Sequence, residues 1–204
     1  MTPTIFKEKL ALPKSKNPAL TSKERIIKAA AELFADRGYH AVGMTDLQQA
    51  VNLGRGSLYH HINSKEELLF DIVKVYIYEL SEEAELAKSI KDPVERLQTL
   101  GAGLVEKIAS HQAELTVCFR EVQSLTETRH KEVLDLHAKY EKVWKETYVE
   151  GAKKGVFREY DGIILKGLLG MFYYSYLWIR PGGKVDTKII ADHLNDLSLR
   201  MLKK

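Results

Sequence analysis

Cysteine is almost missing from this chain of 204 residues, because Cys118 is its only cysteine. A single cysteine excludes a disulfide within the chain and a zinc site built from several cysteines. The sequence therefore predicts a protein of the reducing cytoplasm, where disulfides are rare.

Proline and glycine are also scarce, with five prolines and thirteen glycines in the chain. That is too few for a linker-rich or disordered protein. Hydrophobic residues make up 45% of the sequence and charged residues 29%, as in a globular protein with a substantial core. No segment has the two-residue alternation of a half-buried strand, so the predicted fold class is all-α.

Long apolar runs are limited to residues 162–179, and Lys166, two glycines and Ser175 interrupt that run. A buried helix is favoured there over a membrane span. The first 20 residues contain four lysines and no continuous apolar core, so we expect no secretory signal and no membrane partner.

Positive charge is concentrated near the start of the chain, although the net charge is only +3. Residues 1–65 contain ten basic residues (Lys and Arg) and five acidic ones (Asp and Glu). Residues 66–204 contain 21 basic and 23 acidic residues. A basic N-terminal part favours a polyanionic partner such as DNA.

Four sequence signals predict helix starts. Thr21, Thr45 and Ser64 each precede a Glu or Gln by three residues, which is the spacing of a capping box. Asp92-Pro93 is typical of a first helical turn. The apolar spacing predicts further helices over 93–109, 112–126, 129–153, 160–179 and 186–202. We expect three parts in the chain: a flexible basic arm (1–20), a DNA-binding domain (21–66) and a ligand-binding and dimerisation domain (67–204).

Two short helices, over 46–51 and 55–61, are separated by Asn52-Leu53-Gly54, which is helix-turn-helix spacing. Leu58 and Ile62 are predicted to face inward. The side chains left outward are donors, acceptors and flat rings that suit a major groove, and the flanking helix starts suit phosphate contacts. The predicted DNA-binding residues are Thr45, Arg55, Gly56, Ser57, Tyr59, His60, His61 and Lys65.

The same segment resembles the DNA-binding domain of TetR-family (tetracycline-repressor-like) regulators over about 50 residues. The family pattern combines an "LF…RGY" helix end, a Thr-capped helix and "G-x-LYxHF-x-SKExLL"; here the corresponding residues are Leu33-Phe34, Arg37-Gly38-Tyr39, Thr45, Gly56-Ser57-Leu58-Tyr59-His60-His61-Ile62 and Ser64-Lys65-Glu66-Glu67-Leu68-Leu69. Asn52 stands where the family usually has Gly, and Ile62 where it usually has Phe.

The resemblance implies that the rest of the chain is a helical bundle with an internal pocket for a small effector. Aromatic residues are abundant there, and Tyr140, Trp144 and Tyr148 recur at intervals of four on one helix face. They either pack the core or line a cavity for an apolar ligand. The predicted ligand-binding residues are Tyr76, Phe119, Arg120, Tyr140, Trp144, Tyr148, Phe172 and Tyr176.

Arginines are the candidate partners of an anionic ligand end. Arg120 either pairs with Glu121 or Glu114 or meets such a ligand, and Arg158 and Arg180 are further candidates. Short C-terminal motifs around 155–158, 168–171 and 178–183 look similar to TetR relatives that sense acyl-coenzyme A thioesters.

Dimerisation through the last two helices is also implied by the resemblance. The apolar pattern places the predicted interface on Leu169, Tyr173, Ile190, Leu194, Leu197 and Met201.

Enzyme chemistry is not expected, because Cys118 has no recognisable nucleophile context and no Gly-rich phosphate loop is present. His137 and Glu141 would give two metal ligands without a third, so no metal or other cofactor is expected. The predicted function is a homodimeric, ligand-responsive regulator that binds a palindromic operator, most simply a repressor. The alternatives are a multidrug-sensing repressor with a broad aromatic pocket, and a helical ligand carrier or enzyme that does not use the motif.

Overall fold

The computed structural model describes residues 21–204, so the predicted basic arm over 1–20 lies outside the described residues. Within this range the chain forms nine α-helices and no strand, as the all-α prediction requires. The helices are α1 (Ser22–Arg37), α2 (Met44–Val51), α3 (Arg55–His61), α4 (Lys65–Ala87), α5 (Pro93–Ser110), α6 (Gln112–Glu121), α7 (Glu127–Lys153), α8 (Gly162–Tyr174) and α9 (Thr187–Leu202).

Three of the predicted helix starts are confirmed by their caps. The hydroxyl of Thr21 accepts from the Glu24 amide at 3.2 Å, and the Glu24 carboxylate accepts from the Thr21 amide at 2.6 Å. Ser64 accepts from the Glu67 amide at 3.0 Å, and Asp92 accepts from the Val94 amide. These bonds satisfy amides that the first turn of a helix leaves without partners.

The predicted cap at Thr45 is wrong. Helix α2 begins two residues earlier than predicted, at Met44, with Gly43 as the N-cap. The Asp46 carboxylate accepts from the Gly43 amide at 2.7 Å, and the cap residue itself offers no side-chain acceptor to the first turn. Thr45 is an exposed residue of the first turn instead.

Two predicted helices are shorter in the structure. Helix α6 ends at Glu121 and continues as a 3-10 turn, Val122–Ser124. Helix α8 ends at Tyr174 and continues as a 3-10 turn, Ser175–Leu177. In both places the backbone switches to tighter i→i+3 bonds, which the apolar spacing of the sequence does not distinguish from an α-helix.

Helix α4 joins the two ends of the molecule. Near its start Leu68 and Leu69 are buried against α1, and further along Tyr76, Ile77 and Leu80 are buried among α5, α6 and α7. The chain therefore has one continuous core, and any movement of α4 reaches both ends of it.

Helices α5 and α9 pack closely because Gly101 has no side chain. A Cβ at Gly101 would overlap the side chains of Asn195 and Phe172. The Asn195 amide group donates to the Gln98 carbonyl at 2.9 Å, so a polar residue is held in this contact. This contact places Asn195 on the buried face of α9.

Candidate DNA-binding face and regulatory core

Helices α2 and α3 form a helix-turn-helix unit with its inner side in the core. Leu47, Leu58 and Ile62 are almost fully buried. Asn52 ends α2 in the left-handed conformation, with φ 54° and ψ 44°, as predicted from a residue type that tolerates positive φ. This turn leaves one face of α3 free for a partner.

The outward face of α3 presents the side chains that the sequence predicts for DNA reading. Arg55, Gly56, Ser57, Tyr59 and His60 are exposed, with 41% of Tyr59 accessible. The Arg55 guanidinium lies 5.8 Å from the centre of the Tyr59 ring. The face therefore combines a cation, hydroxyls and an imidazole on one short helix, which suits base edges and phosphates.

His61 and Lys65 are less open than the rest of this face. His61 is half-buried, and its ring meets that of His60 edge to face at 5.3 Å. The Lys65 ammonium lies 4.3 Å from the centre of the Tyr39 ring. Burial lowers the pKa of Lys65, while Glu121 and Asp46 act in the opposite direction. Lys65 is thus a packed cation at the start of α4.

Polar contacts join the end of α1 and the loop after it to α6 and the 3-10 turn that follows α6. The Glu121 carboxylate accepts from the Tyr39 amide at 3.2 Å, and the Ser124 hydroxyl lies 3.1 Å from the His40 imidazole. Arg120 donates to the Ala35 carbonyl at 3.2 Å. The structure therefore places Arg120 against the last turn of α1, in neither of the ion pairs expected for it.

A hydrogen bond and an ion pair connect the start of α4 to the start of α7. The Glu66 carboxylate accepts from the Thr126 amide at 3.1 Å and forms an ion pair with Arg129. The Arg129 guanidinium also lies 5.2 Å from the centre of the Phe70 ring. The first turn of α4 therefore contacts Tyr39 through Lys65 and the start of α7 through Glu66.

The centre of the bundle contains a group of polar and aromatic side chains that we call the core cluster. It brings together α4, α6, α7 and α8. Its members are Tyr76, Cys118, His137, Tyr140, Trp144, Phe172 and Tyr173.

One half of the core cluster is hydrogen-bonded. The Tyr76 hydroxyl lies 2.9 Å from the Nε2 atom of His137 and donates to the Cys118 sulfur at 3.3 Å. Burial raises the pKa of the Cys118 thiol to about 11, and it lowers the pKa of His137 to about 4. Both groups are uncharged at neutral pH, so this half of the cluster presents no charge.

Four of the predicted ligand residues lie in the core cluster, and three other aromatic ones lie outside it. The four in the cluster, all fully buried, are Tyr76, Tyr140, Trp144 and Phe172. Outside it, Phe119 is exposed and stacks on Tyr176 with ring centres 4.9 Å apart. Tyr148 is buried, and its hydroxyl donates to the Glu159 carbonyl at 3.0 Å.

Two members of the core cluster were not predicted as ligand residues, and a third was placed elsewhere. Cys118 and His137 lie in it, and so does Tyr173, which the sequence assigns to the dimer interface. The Tyr173 ring faces His137 at 6.2 Å and Phe119 at 6.1 Å. His137 precedes Tyr140 by three residues on α7, and this spacing was the signal that could have found it.

Two surface cavities lie away from the core cluster. One of about 510 Å³ runs along α7 from Lys142 to Lys153, and one of about 410 Å³ lies between α4 and α5 near Gly103. Neither is lined by a residue predicted to bind the ligand.

An apolar surface is exposed on α8 and α9. Ile163 is 83% accessible, Tyr174 66% and Leu197 47%, and Ile189 is also exposed. Ile190 and Met201 are half-buried at its edge. Two residues predicted for a dimer interface, Leu169 and Leu194, are buried within the protomer.

The described part of the chain contains neither a metal-ligand grouping nor a helix suited to a membrane. Within residues 21–204, no three or more His, Cys, Asp or Glu side chains are placed together so as to hold a metal ion. None of the helices in the same range combines the length and apolar character needed to cross a bilayer.

The titration of His137 gives a measurable prediction. The folded protein keeps this imidazole neutral down to a pKa of about 4, whereas an unfolded chain protonates it below about pH 6.5. The unfolded state therefore binds the extra proton between these values, and the free energy of unfolding falls as the pH falls through them. We expect a loss of roughly 2 kcal/mol between pH 7 and pH 5 from this residue. Chemical denaturation of the parent and of His137→Gln measures it, and equal pH slopes for the two proteins would contradict the assignment.

Two family models match the sequence. Residues 26–72 match the model of bacterial regulatory proteins of the tetR family. Residues 91–202 match the model of a tetracyclin repressor-like C-terminal domain, which is more than half of the chain.

Individual relatives agree with these models. The HTH-type transcriptional repressor KstR2 of Mycobacterium tuberculosis is 29% identical over 170 residues, which cover 81% of this chain and 85% of that protein. The TetR-family regulator PfmR of Thermus thermophilus superimposes with a TM-score of 0.82 and 30% identity, covering 88% of this chain and all of that one. AibR, solved in complex with isovaleryl coenzyme A and operator DNA, gives a TM-score of 0.76 and 27% identity, with 87% and 97% of the two chains covered.

Proposed function

This chain belongs to the TetR family of bacterial regulatory proteins and is a ligand-responsive, DNA-binding regulator of transcription, and from that premise we propose that it is a homodimeric repressor released from its operator by an acyl-coenzyme A thioester. The observation that carries the proposal is that α1 packs on α2 of the helix-turn-helix unit and also on α4 and α6, which contribute to the buried core cluster, while the face of α3 stays exposed. A regulator without a catalytic step, acting on DNA in the cytoplasm, fits this design.

The DNA-reading part is assigned to residues 21–66 and the controlling part to residues 67–204. The exposed face of α3 would enter the major groove, with Arg55, Tyr59 and His60 toward base edges and phosphates. Thr45 at the start of α2 and Lys65 at the start of α4 would flank the groove. In a dimer, the two copies of α3 would read half-sites separated by one helical turn of DNA, roughly 34 Å.

The exposed apolar surface of α8 and α9 is the proposed dimer interface. Its accessible side chains are Ile163, Tyr174, Ile189 and Leu197. Burial of such a surface drives association, and a two-fold axis through it would pair α8 and α9 with their copies. Of the predicted interface residues, this assignment keeps Leu197, Ile190 and Met201. Leu169 and Leu194 are buried within the protomer, and the half-buried Tyr173 packs against His137 and Phe119.

The effector is proposed to bind at the core cluster, reached from the surface through Phe119 and Tyr176. AibR supports a thioester, since that relative was solved with isovaleryl coenzyme A. The aromatic side chains of the cluster suit an apolar acyl group. The phosphates of coenzyme A would remain outside, because buried phosphates need cations as partners.

Arg120 offers a link between the effector and the DNA. It follows Phe119 directly in the chain, and it bonds to the Ala35 carbonyl in the last turn of α1. A phosphate held near Phe119 would compete with Ala35 for Arg120 and so loosen the contact between α6 and α1. Arg158 and Arg180 are the other candidates, and Arg180 bonds to the Leu177 carbonyl at 3.0 Å.

Titration of a preformed operator complex tests the proposal. The operator is first selected from random duplex DNA, and then lauroyl-coenzyme A, lauric acid and a lipophilic cation are added in separate experiments. We expect release by the thioester at concentrations at which the free acid and the cation leave the complex intact, because only a ligand that binds the DNA-free state more tightly shifts the equilibrium. Release by the cation alone would contradict the proposal.

That last outcome would favour the second candidate, a multidrug-sensing repressor. The observation on its side is the unbroken series of aromatic rings from Phe119 through Tyr173 to His137, with ring centres 6.1 and 6.2 Å apart. A broad aromatic path of this kind suits flat cationic ligands.

A further inference from the structure

The second half of the core cluster contains two hydrogen-bond donors that have no acceptor. The Tyr140 hydroxyl and the Trp144 indole Nε1 are both enclosed by protein, and neither has a hydrogen-bond partner among residues 21–204. Most buried polar groups in folded proteins have a partner, so each unpaired group calls for an explanation. An indole N–H can only donate, so its missing partner must be an acceptor.

The two donors converge on the same place. They lie one turn apart on α7, with ring centres 6.3 Å apart. Burial raises the pKa of Tyr140, and the nearby Trp144 N–H acts in the opposite direction, although the two groups do not reach hydrogen-bond geometry with each other. A single oxygen placed between them would accept from both.

The surroundings favour an uncharged acceptor over an anion. The ionised groups that act on this part of the cluster are carboxylates, with Glu83 acting on Tyr140 and Glu141 acting on Tyr173. The adjacent His137 is neutral at physiological pH because burial lowers its pKa to about 4. Each of these carboxylates is already paired with a lysine, and the core cluster itself contains no cationic side chain at neutral pH. A carboxylate ligand would therefore be buried without a cation as its partner, which is strongly unfavourable. A carbonyl oxygen meets no such penalty.

The remaining walls suit the rest of an acyl group. Phe172 packs against Trp144 with ring centres 5.4 Å apart, and Tyr173 leads from the cluster toward Phe119 at the surface. Tyr76 and His137 already bond to each other and so offer no unpaired donor to compete for the carbonyl.

We propose that Tyr140 and Trp144 form a two-donor site for an uncharged carbonyl oxygen of the effector, either its thioester carbonyl or a ketone within its acyl group. This rests on the proposed function, in which the effector binds at the core cluster. With the thioester carbonyl in place, the site selects acyl thioesters against free acids, because a neutral carbonyl accepts both bonds whereas a carboxylate adds a buried charge.

The test compares Tyr140→Phe and Trp144→Phe with the parent and with Tyr78→Phe. Tyr78 is an exposed tyrosine of α4 outside the cluster, so it controls for the loss of a phenol oxygen. Calorimetric titration with lauroyl-coenzyme A, its oxo derivative with a ketone in the chain, and the S-dodecyl thioether of coenzyme A, which has no carbonyl, measures binding. Thermal unfolding without ligand measures stability.

We expect each cluster variant to bind at least one carbonyl ligand about ten-fold more weakly, while the thioether binds parent and variants alike. A loss with lauroyl-coenzyme A assigns the thioester carbonyl, and a loss only with the oxo derivative assigns the ketone. Tyr140→Phe should not lower the midpoint of thermal unfolding, since the hydroxyl it removes has no partner. A purely structural role would lower the midpoint and leave the ligand preferences unchanged.

Two negative outcomes have different meanings. If the parent binds none of the three coenzyme A compounds, the proposed function fails. If the parent binds them and both variants bind every carbonyl ligand as tightly as the parent does, the two-donor site is refuted while the proposed function stands.

Discussion

Replacing Leu197 with glutamate is expected to convert the dimer into monomers and to weaken operator binding by at least about 100-fold. Leu197 is 47% accessible in the protomer and lies on the proposed interface of α8 and α9. In a dimer the new carboxylate would be buried without a partner and repeated across the two-fold axis, which costs several kcal/mol. A monomer reads one half-site only, so loss of roughly 3 kcal/mol in operator binding follows.

Sedimentation velocity and operator titration measure the two effects on the same preparation. Leu86→Glu is the matched control, because Leu86 is 74% accessible on α4 and lies outside the proposed interface. It should remain dimeric and bind the operator normally. Leu194→Glu is a less informative variant, since Leu194 is buried within the protomer and its replacement would also disturb folding. A dimeric Leu197→Glu protein would place the interface on another surface.

Replacing Tyr59 with alanine is expected to weaken operator binding by about 10- to 100-fold, the range associated with losing one good contact to DNA. Tyr59 is exposed on α3, so the stability of the protein should stay unchanged. His60→Ala should alter the preferred operator sequence more than the general affinity. Lys65→Gln should lower the salt dependence of binding by about one unit of slope, because it removes one cation near the phosphates.

Fluorescence anisotropy with labelled duplexes at several salt concentrations checks these expectations. Tyr78→Ala serves as the control, because it removes an equally exposed tyrosine from α4, away from α3. If the Tyr59, His60 and Lys65 variants all bind the operator as the parent does, α3 is not the reading helix.

The helix-turn-helix unit could be predicted from the sequence because its determinants are local. A left-handed Asn52 and inward Leu58 and Ile62 act within a few residues of each other. The exception, the start of α2, also has a local cause. Asp46 caps Gly43 from inside the helix, although the Thr-x-x-Gln spacing that begins two residues after Gly43 has the form of a capping box.

The faces of the C-terminal helices could not be predicted in the same way. The apolar stripe of α9 suggested that Leu194 faces a second protomer, but α9 turns Asn195 and Ser198 toward the core along with it. The Asn195 Nδ2 group donates to the Gln98 carbonyl on α5, and the Ser198 hydroxyl donates to the Leu194 carbonyl, so each buried side chain has a partner for its donor. A pattern of apolar spacing assigns such residues to solvent. Likewise, Tyr173 packs against Phe119 of α6 and His137 of α7, and both of these lie far from it in the sequence.

Calorimetric measurement of thioester affinity, with free protein and with operator-bound protein, tests the central claim most directly. If ligand binding at the core cluster is coupled to DNA binding by α3, lauroyl-coenzyme A must bind the free protein more tightly than it binds the operator complex. By thermodynamic reciprocity, the operator affinity must then fall by the same factor when the thioester is bound. We expect a factor of at least about ten, within the usual range of coupling between sites. Equal thioester affinity in the two states would show that the ligand does not control DNA binding and would contradict the account.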